Sequence, residues 1–463
     1  MQEKSVISRV ATAASGVFAP GHLGELTQVV DCTLVDAVLA ETGAVERRVR
    51  LLPARVVVYF VLALALFEDC GYRAVWGKLT AGLVGRGSSY PHSSSLSRAR
   101  RRLGAGPLRA LFESLAGAVA WRSTPGAHWR GMRTVAVDGT TLQVPDRARV
   151  TQCFPKHRSR LRETGYPLLR LVTLVETGTR AILAAAFGPD TTSEISYARQ
   201  MLDNLGPRML VLLDAGFDTW EFLRDVHDYG AQFLARSSAR RCPTIQRRLP
   251  DGSYLARLGH GKLPVRIIEA RITIILQDGT EQHEQWRLTT SLLDHAGFPA
   301  QELVTLYHER WQAETTYASL KATLLDGRVL RSQHPHDLEQ EVWGILAVYQ
   351  ALIRVASDAA ASRPDLDMDR LSFTVALHTA RDQVTCAASA LFTKPACLIG
   401  PIGQALLANL LPAHRRRRIK ARSLKTTSKY AKNFGKHPRV TQKYSFHAHV
   451  MVMERGLPAR PRP

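Results

Sequence analysis

Three acidic residues stand where carboxylates can do chemistry. Asp138 closes the apolar run TVAVDGT and Asp214 closes MLVLLDAGF. Each run reads as a buried strand, and each aspartate is followed within two residues by a glycine, Gly139 or Gly216, where the chain is expected to turn. A carboxylate at the tip of a buried strand lies at the sheet edge where active sites form. The third acid, Glu314, belongs to YHERWQAETTYASLK, a stretch of good helix formers. In it Tyr307, Arg310, Glu314 and Lys321 follow one another at offsets of 0, 3, 7 and 14, which return to one helix face. That face offers a phenol, a guanidinium, a carboxylate and an ammonium. The acid suits a divalent metal and the other three suit phosphate oxygens. A solvated charged face has the same spacing.

Two strand-end aspartates and one helical glutamate make an all-oxygen ligand set for Mg²⁺ or Mn²⁺. Two such ions, about 3.5–4 Å apart, activate a nucleophile and stabilise the leaving oxygen of a phosphodiester. In that scheme Asp138 bridges both ions, while Asp214 and Glu314 hold one each. No Ser/His/Asp or Cys/His set competes. Glu309 is the rival acid on the same stretch, but five residues turn it about 140° away from Glu314.

Charge supports a polyanionic partner. Lys and Arg number 62 against 40 Asp and Glu among 463 residues, a net charge of +22. Six cysteines without a CxxC pair or zinc spacing read as reduced thiols of a cytoplasmic, nucleoid-associated protein. The apolar run Val56–Phe67 is too short to span a bilayer, so no membrane role is expected.

The elements that position the acids fall into a clear order. Residues 1–125 read as a helical DNA-binding domain. Its Arg-rich helix LSRARRRLG, capped by Ser94 or Ser95, follows a Gly/Ser/Pro loop and ends at Gly104. Arg98, Arg100, Arg101 and Arg102 either contact DNA phosphate or form a solvated basic face. Residues 130–239 and 291–411 then read as an α/β catalytic domain. Strands at 134–138, 168–176 and 180–187 precede a helix reaching Leu205, a strand at 209–214, a helix and a further strand. The segment 240–290, with its PDGSY and QDGT turns, reads as a β-rich insertion. Residues 412–463 form a basic tail in which no acid interrupts 414–443, as expected of an arm that docks on DNA.

These motifs together resemble the insertion-sequence 4 family of DDE transposases. The spacing Tyr307-x2-Arg310-x3-Glu314-x6-Lys321 matches that family's helical signature. Asp138-Gly139-Thr140 and Asp214-x-Gly216-Phe217 look like its first and second aspartate motifs. The stretch RVRLLPARVVVYFVLALALFEDCGYRAVWGKL looks like its N-terminal domain, and the likeness runs from about Leu34 to about Asp358. Ala215 departs from it, since many relatives carry Arg there. The resemblance implies a ribonuclease H-like core in which the first and fourth strands are neighbours. It also implies two Mg²⁺ or Mn²⁺ ions, binding to terminal inverted repeats and target DNA, cut-and-paste transfer through an end hairpin, and a homodimeric synaptic complex. By the same resemblance Trp286 stacks on a base flipped near the cleaved end; a buried aromatic is the alternative. A catalytically idle DNA-binding descendant and a plain ribonuclease H-like nuclease are the competing functions.

Overall fold

The computed structural model describes residues 23–46, 48, 50–81, 90–156, 165–237, 241, 243–259, 261–275, 281–363, 365–386, 399–413 and 448–452. The uninterrupted basic run 414–443 lies outside the described residues. In chain order the elements are α1 (Cys32–Glu41), α2 (Ala54–Leu66), α3 (Tyr72–Leu79), α4 (Ser93–Leu103), α5 (Gly106–Leu115), β1 (His128–Trp129), β2 (Met132–Gln143), α6 (Ala148–Cys153), β3 (Leu168–Glu176), β4 (Ile182–Pro189), α7 (Glu194–Arg199) and β5 (Met209–Leu213). Then come α8 (Trp220–Asp228), β6 (Gln232–Arg236), β7 (Arg247–Arg248), β8 (Tyr254–Leu258), β9 (Leu263–Ile275), β10 (Glu281–Thr290), α9 (Ala300–Tyr307), α10 (Trp311–Ala318), α11 (Pro335–Ala361), α12 (Phe373–Thr385), α13 (Pro401–Ala408) and β11 (Ala448–Val452). With the short α6 set aside, β2-β3-β4-α7-β5-α8-β6 is the element order of a ribonuclease H-like core, preceded by helices.

Two compact units result: Met1–Leu210 with Arg310–Leu411, and Val211–Glu309 with Pro412–Pro463. In the first, β2, β3 and β4 form an antiparallel meander with Asp138 opposite Thr173. The Arg133 amide donates to the Arg208 carbonyl, 2.8 Å, where β5 begins. One expectation fails here. β2 does not end at Asp138 and the chain does not turn at Gly139; the strand runs on to Gln143. Gly139 serves close packing instead, because a Cβ there would lie 2.6 Å from the Glu194 carboxyl carbon. α7, capped by Ser193, is also shorter than the predicted helix, giving way to a 3₁₀ turn at Leu202–Asn204.

α11 is the spine of this unit. It is long and apolar enough to cross a membrane by composition, yet it is mostly buried among the helices packed around it. Apolar burial of this kind contributes roughly 1.5–3 kcal/mol per large side chain. α2 packs against it and buries every side chain except Arg55, which pairs with Asp36.

Two arginines fasten the N-terminal helices to the segment leading into α11. Arg100 of α4, grouped by sequence with the DNA-facing arginines, is instead 2% exposed. Its guanidinium donates to Gln340 Oε1, Tyr72 Oη, Ser332 Oγ and the Asp337 carbonyl. α4 opens at Ser93 with His92 as its cap, so the expected Ser94 and Ser95 lie inside the helix. Arg331 donates to the carbonyls of Leu64, Phe67, Glu68 and Cys70 and to the Glu68 carboxylate at 3.0 Å. It thereby supplies the acceptors left open at the end of α2 with a cation.

The second unit holds the sheet order β5-β6-β10-β9-β8-β7. β10 pairs antiparallel with β6, Leu288 opposite Arg236, and with β9 along its whole length. β8 covers the first part of β9, while β11 pairs with residues 270–274 of β9. β11 was not foreseen from the residues: the chain beyond the basic run returns to this sheet.

Burial of Glu68 pushes its carboxyl up to about 7, with Arg331 opposing the shift and Glu341 adding to it. The folded state therefore holds this proton more tightly than the unfolded chain does. The stability it contributes is complete below about pH 4.5 and is lost as pH rises through about 7. Between pH 5 and 8 the wild type should lose more stability than Glu68→Gln, by at most on the order of 3 kcal/mol. Urea unfolding at both pH values measures this, and parallel profiles for the two proteins would contradict it.

Candidate active site

Asp138 lies mid-strand on β2, half-buried, with Oδ1 accepting the Gly139 amide at 3.0 Å. α10 crosses this strand and β3. From α10 the Tyr317 hydroxyl donates to the main-chain carbonyl of Asp138, and it lies 2.9 Å from Thr173 Oγ1 on β3. Burial pushes the Tyr317 phenol well above its ordinary range, and the negative charge of Asp138 adds to the shift. It therefore stays a protonated donor and fixes the backbone at Asp138.

Arg310 joins two of the three acids. Its Nη2 donates to Glu314 Oε1 at 2.9 Å, one helical turn on, and its Nη1 lies 3.6 Å from Asp138 Oδ2. All three side chains are largely shielded, at 15%, 20% and 13% exposure. Lys321 Nζ donates to Thr140 Oγ1 at 3.2 Å. Thr140 lies two residues along β2 from Asp138, on the same strand face. Next to Gly139, Glu194 accepts from Arg170 at 2.7 Å, and Arg170 also pairs with Asp190. Glu194, Arg170 and Tyr317 were missed by the sequence reading. Tyr317 had a signal, three residues after Glu314 in the same stretch; Glu194 read only as a helix start.

The expected single helix from Tyr307 to Lys321 is broken. α9 ends at Tyr307, a 3₁₀ turn covers His308–Arg310, α10 follows, and a π-helical turn holds Ser319–Leu324. Tighter and wider turns advance by different angles per residue, so the constant 3.6-residue period does not apply across the stretch. Arg310, Glu314 and Lys321 belong to the first unit and Tyr307 to the second.

In the second unit Asp214 directly follows the last residue of β5. Its Oδ1 accepts the Gly216 amide at 2.8 Å and caps the 3₁₀ turn Ala215–Phe217. Tyr307 is buried and its hydroxyl donates to the Leu213 carbonyl at 3.0 Å, immediately before Asp214. Trp286 meets Tyr307 edge-on at 5.4 Å. The half-exposed indole donates through Nε1 to Glu284 at 2.8 Å, and the Arg236 guanidinium lies 5.3 Å from its ring. Of the N-terminal arginines, Arg98 lies 3.4 Å from Ser95 Oγ, Arg101 pairs with Asp337, and Arg102 pairs with Glu46 and donates to the Leu52 carbonyl.

Among the described residues, no group of three or more His, Cys, Asp or Glu side chains is gathered for a metal ion. The donor chemistry of the first unit nevertheless suits one. Asp138 Oδ2 and Glu314 Oε1 already turn toward a single cation, the guanidinium, and both are hard oxygen donors of the kind Mg²⁺ and Mn²⁺ prefer.

Residues 20–113 match the family model "Insertion element 4 transposase N-terminal", and residues 129–351 match "Transposase DDE domain". The transposase InsG for insertion sequence element IS4 of Escherichia coli K12 is 30% identical over 338 residues, which cover 71% of this chain and 75% of that one. The putative transposase InsZ of the same organism is 28% identical over 138 residues, 30% of this chain and 46% of the relative. A piggyBac transposase synaptic complex with hairpin DNA, solved by cryo-electron microscopy, aligns over 86% of both chains with a TM-score of 0.42 and 11% identity.

Tyr317→Phe removes the hydroxyl that donates to the part-buried Asp138 carbonyl. It should lower stability by about 1–2 kcal/mol with secondary structure retained. An unchanged urea midpoint would show that the hydroxyl does not hold β2 in place.

Proposed function

The chain belongs to the insertion sequence 4 family of DDE transposases, enzymes of DNA cleavage and strand transfer, and from that premise we propose that it excises its own element by cut-and-paste. In this reading it binds the terminal inverted repeats, cleaves both ends and joins them to target DNA, acting as a homodimer in the synaptic complex. The observation that carries the reading is the meeting of Asp138 and Glu314 across one cation.

Two divalent ions, Mg²⁺ or Mn²⁺, would supply the Lewis acidity that activates water or a 3′-hydroxyl and stabilises the leaving oxygen. Asp138, Asp214 and Glu314 are the residues that would hold them. Tyr317 and Thr173 fix the strand under Asp138. Tyr307 fixes the carbonyl that precedes Asp214, so its part is to position that acid as much as to meet DNA. Lys321, beside Thr140, and Arg310 grip phosphate oxygens next to the scissile bond. Trp286, half-exposed and stacked under Arg236, offers its indole to a base unstacked at the transposon end. Arg98, Arg101 and Arg102 line the basic helix that meets the DNA backbone, with acidic neighbours that set a ceiling on what Arg101 and Arg102 contribute.

The test uses the full chain, Mg²⁺ and a duplex carrying the inverted repeat that borders its own gene. Asp138→Asn, Asp214→Asn and Glu314→Gln should each lower cleavage by about 10³-fold or more while end binding persists in a gel-shift assay. Cleavage that survives any one of these substitutions would remove that residue from the catalytic set. Cleavage without joining to target DNA would point to a nuclease.

A further inference from the structure

The position of Arg310 has a consequence for how the site is loaded. Two carboxylates that face each other in a shielded place repel, and with no cation between them one takes up a proton or the backbone moves apart. Here the guanidinium of Arg310 lies between them, 2.9 Å from Glu314 Oε1 and 3.6 Å from Asp138 Oδ2. The same two oxygens are the ones that a divalent ion would take. A divalent ion and a guanidinium cannot share them cheaply, because three positive charges would then face two negative ones within a few ångströms.

We propose that Arg310 is a placeholder cation: it holds Asp138 and Glu314 in register before metal arrives, and it must leave them for metal to bind. This rests on the metal reading of the site given above. Arg310 is thus a positioning residue in the free protein. Its release puts a guanidinium beside the scissile phosphate, where a phosphodiester oxygen can receive it. The exchange links the two ligands. A DNA phosphate that draws Arg310 away raises metal affinity, and metal that displaces Arg310 raises affinity for phosphate by the same factor.

The local structure makes the exchange feasible. Arg310 is the last residue of a 3₁₀ turn and the cap of α10, so its side chain is carried at a helix junction while Glu314 is held within α10. Asp138 is fixed independently, through its carbonyl to Tyr317 and through Oδ1 to the Gly139 amide. Moving the guanidinium therefore leaves the backbone that carries each carboxylate where it is.

The experiment is Mn²⁺ binding by the full-length, DNA-free protein, read by calorimetry and by the electron paramagnetic resonance of free Mn²⁺. Arg310→Gln should bind Mn²⁺ on the order of tenfold more tightly than wild type, and Arg310→Lys, which keeps the charge, should stay close to wild type. Glu314→Gln should bind more weakly than wild type. Unchanged or weaker binding by Arg310→Gln, with Glu314→Gln still impaired, overturns the placeholder and leaves the metal reading standing. Binding that Glu314→Gln does not weaken overturns the metal reading, and the placeholder with it. A measurement on the wild type guards against a misfolded variant. Phenylglyoxal labelling mapped by mass spectrometry should show Arg310 becoming more reactive when Mn²⁺ is added, while Arg100, buried far from any expected ligand, does not change. Equal labelling of Arg310 with and without Mn²⁺ contradicts the proposal.

Discussion

Like charges confined together need a counter-charge, and between Asp138 and Glu314 the Arg310 guanidinium supplies it. The side chains of all three residues are mostly shielded from solvent, so water screens their repulsion poorly. Everything near them works to keep the pair in place. Tyr317 bonds the Asp138 carbonyl, Thr173 lies opposite in the antiparallel register, and Lys321 reaches Thr140 two residues further along the strand. Gly139 lets Glu194 pack closely against the strand beside Asp138, with Arg170 neutralising both Glu194 and Asp190. A carboxylate carried at the middle of a strand is less free to move than one at its end.

The stretch from Ala300 to Leu324 carries most of the signature, and it is built from pieces of different pitch. α9 ends on Tyr307, whose hydroxyl reaches back to the residue before Asp214. A 3₁₀ turn then leads to Arg310, α10 presents Glu314 and Tyr317, and the π turn carries Lys321. Non-α turns inside a helix are common where function demands a particular side-chain direction, and both ends of α10 have one. One short stretch thus addresses both aspartates, Asp214 through Tyr307 in one unit and Asp138 through Arg310 and Tyr317 in the other.

Much of this was legible in the sequence, for physical reasons. Buried strands show as apolar runs, so β3, β4, β5 and the β-rich segment were found, and the acids at the ends of such runs stood out. Asp138 was placed correctly in the chain but wrongly in its strand, because a glycine after an aspartate reads as a turn unless one knows that Glu194 packs against it. Arg100 and Arg331 were unreadable as structural residues. Their partners lie as far as 240 and 267 positions away in sequence, and a charged residue with distant partners looks like a surface residue. The tyrosine of the signature was read as a phosphate ligand, and the fold adds a donation from its hydroxyl to a backbone carbonyl. That donation depends on where β5 ends relative to α9, which no spacing rule encodes.

In the proposed exchange a divalent ion takes the place of the Arg310 guanidinium between Asp138 and Glu314. Diffraction from Mn²⁺-soaked crystals of the full chain, collected at a wavelength where manganese scatters anomalously, tests it directly. An anomalous peak should appear between the Asp138 and Glu314 carboxylates, with the Arg310 guanidinium moved off both. A peak elsewhere, with Arg310 still bonded to Glu314 and beside Asp138, would contradict it.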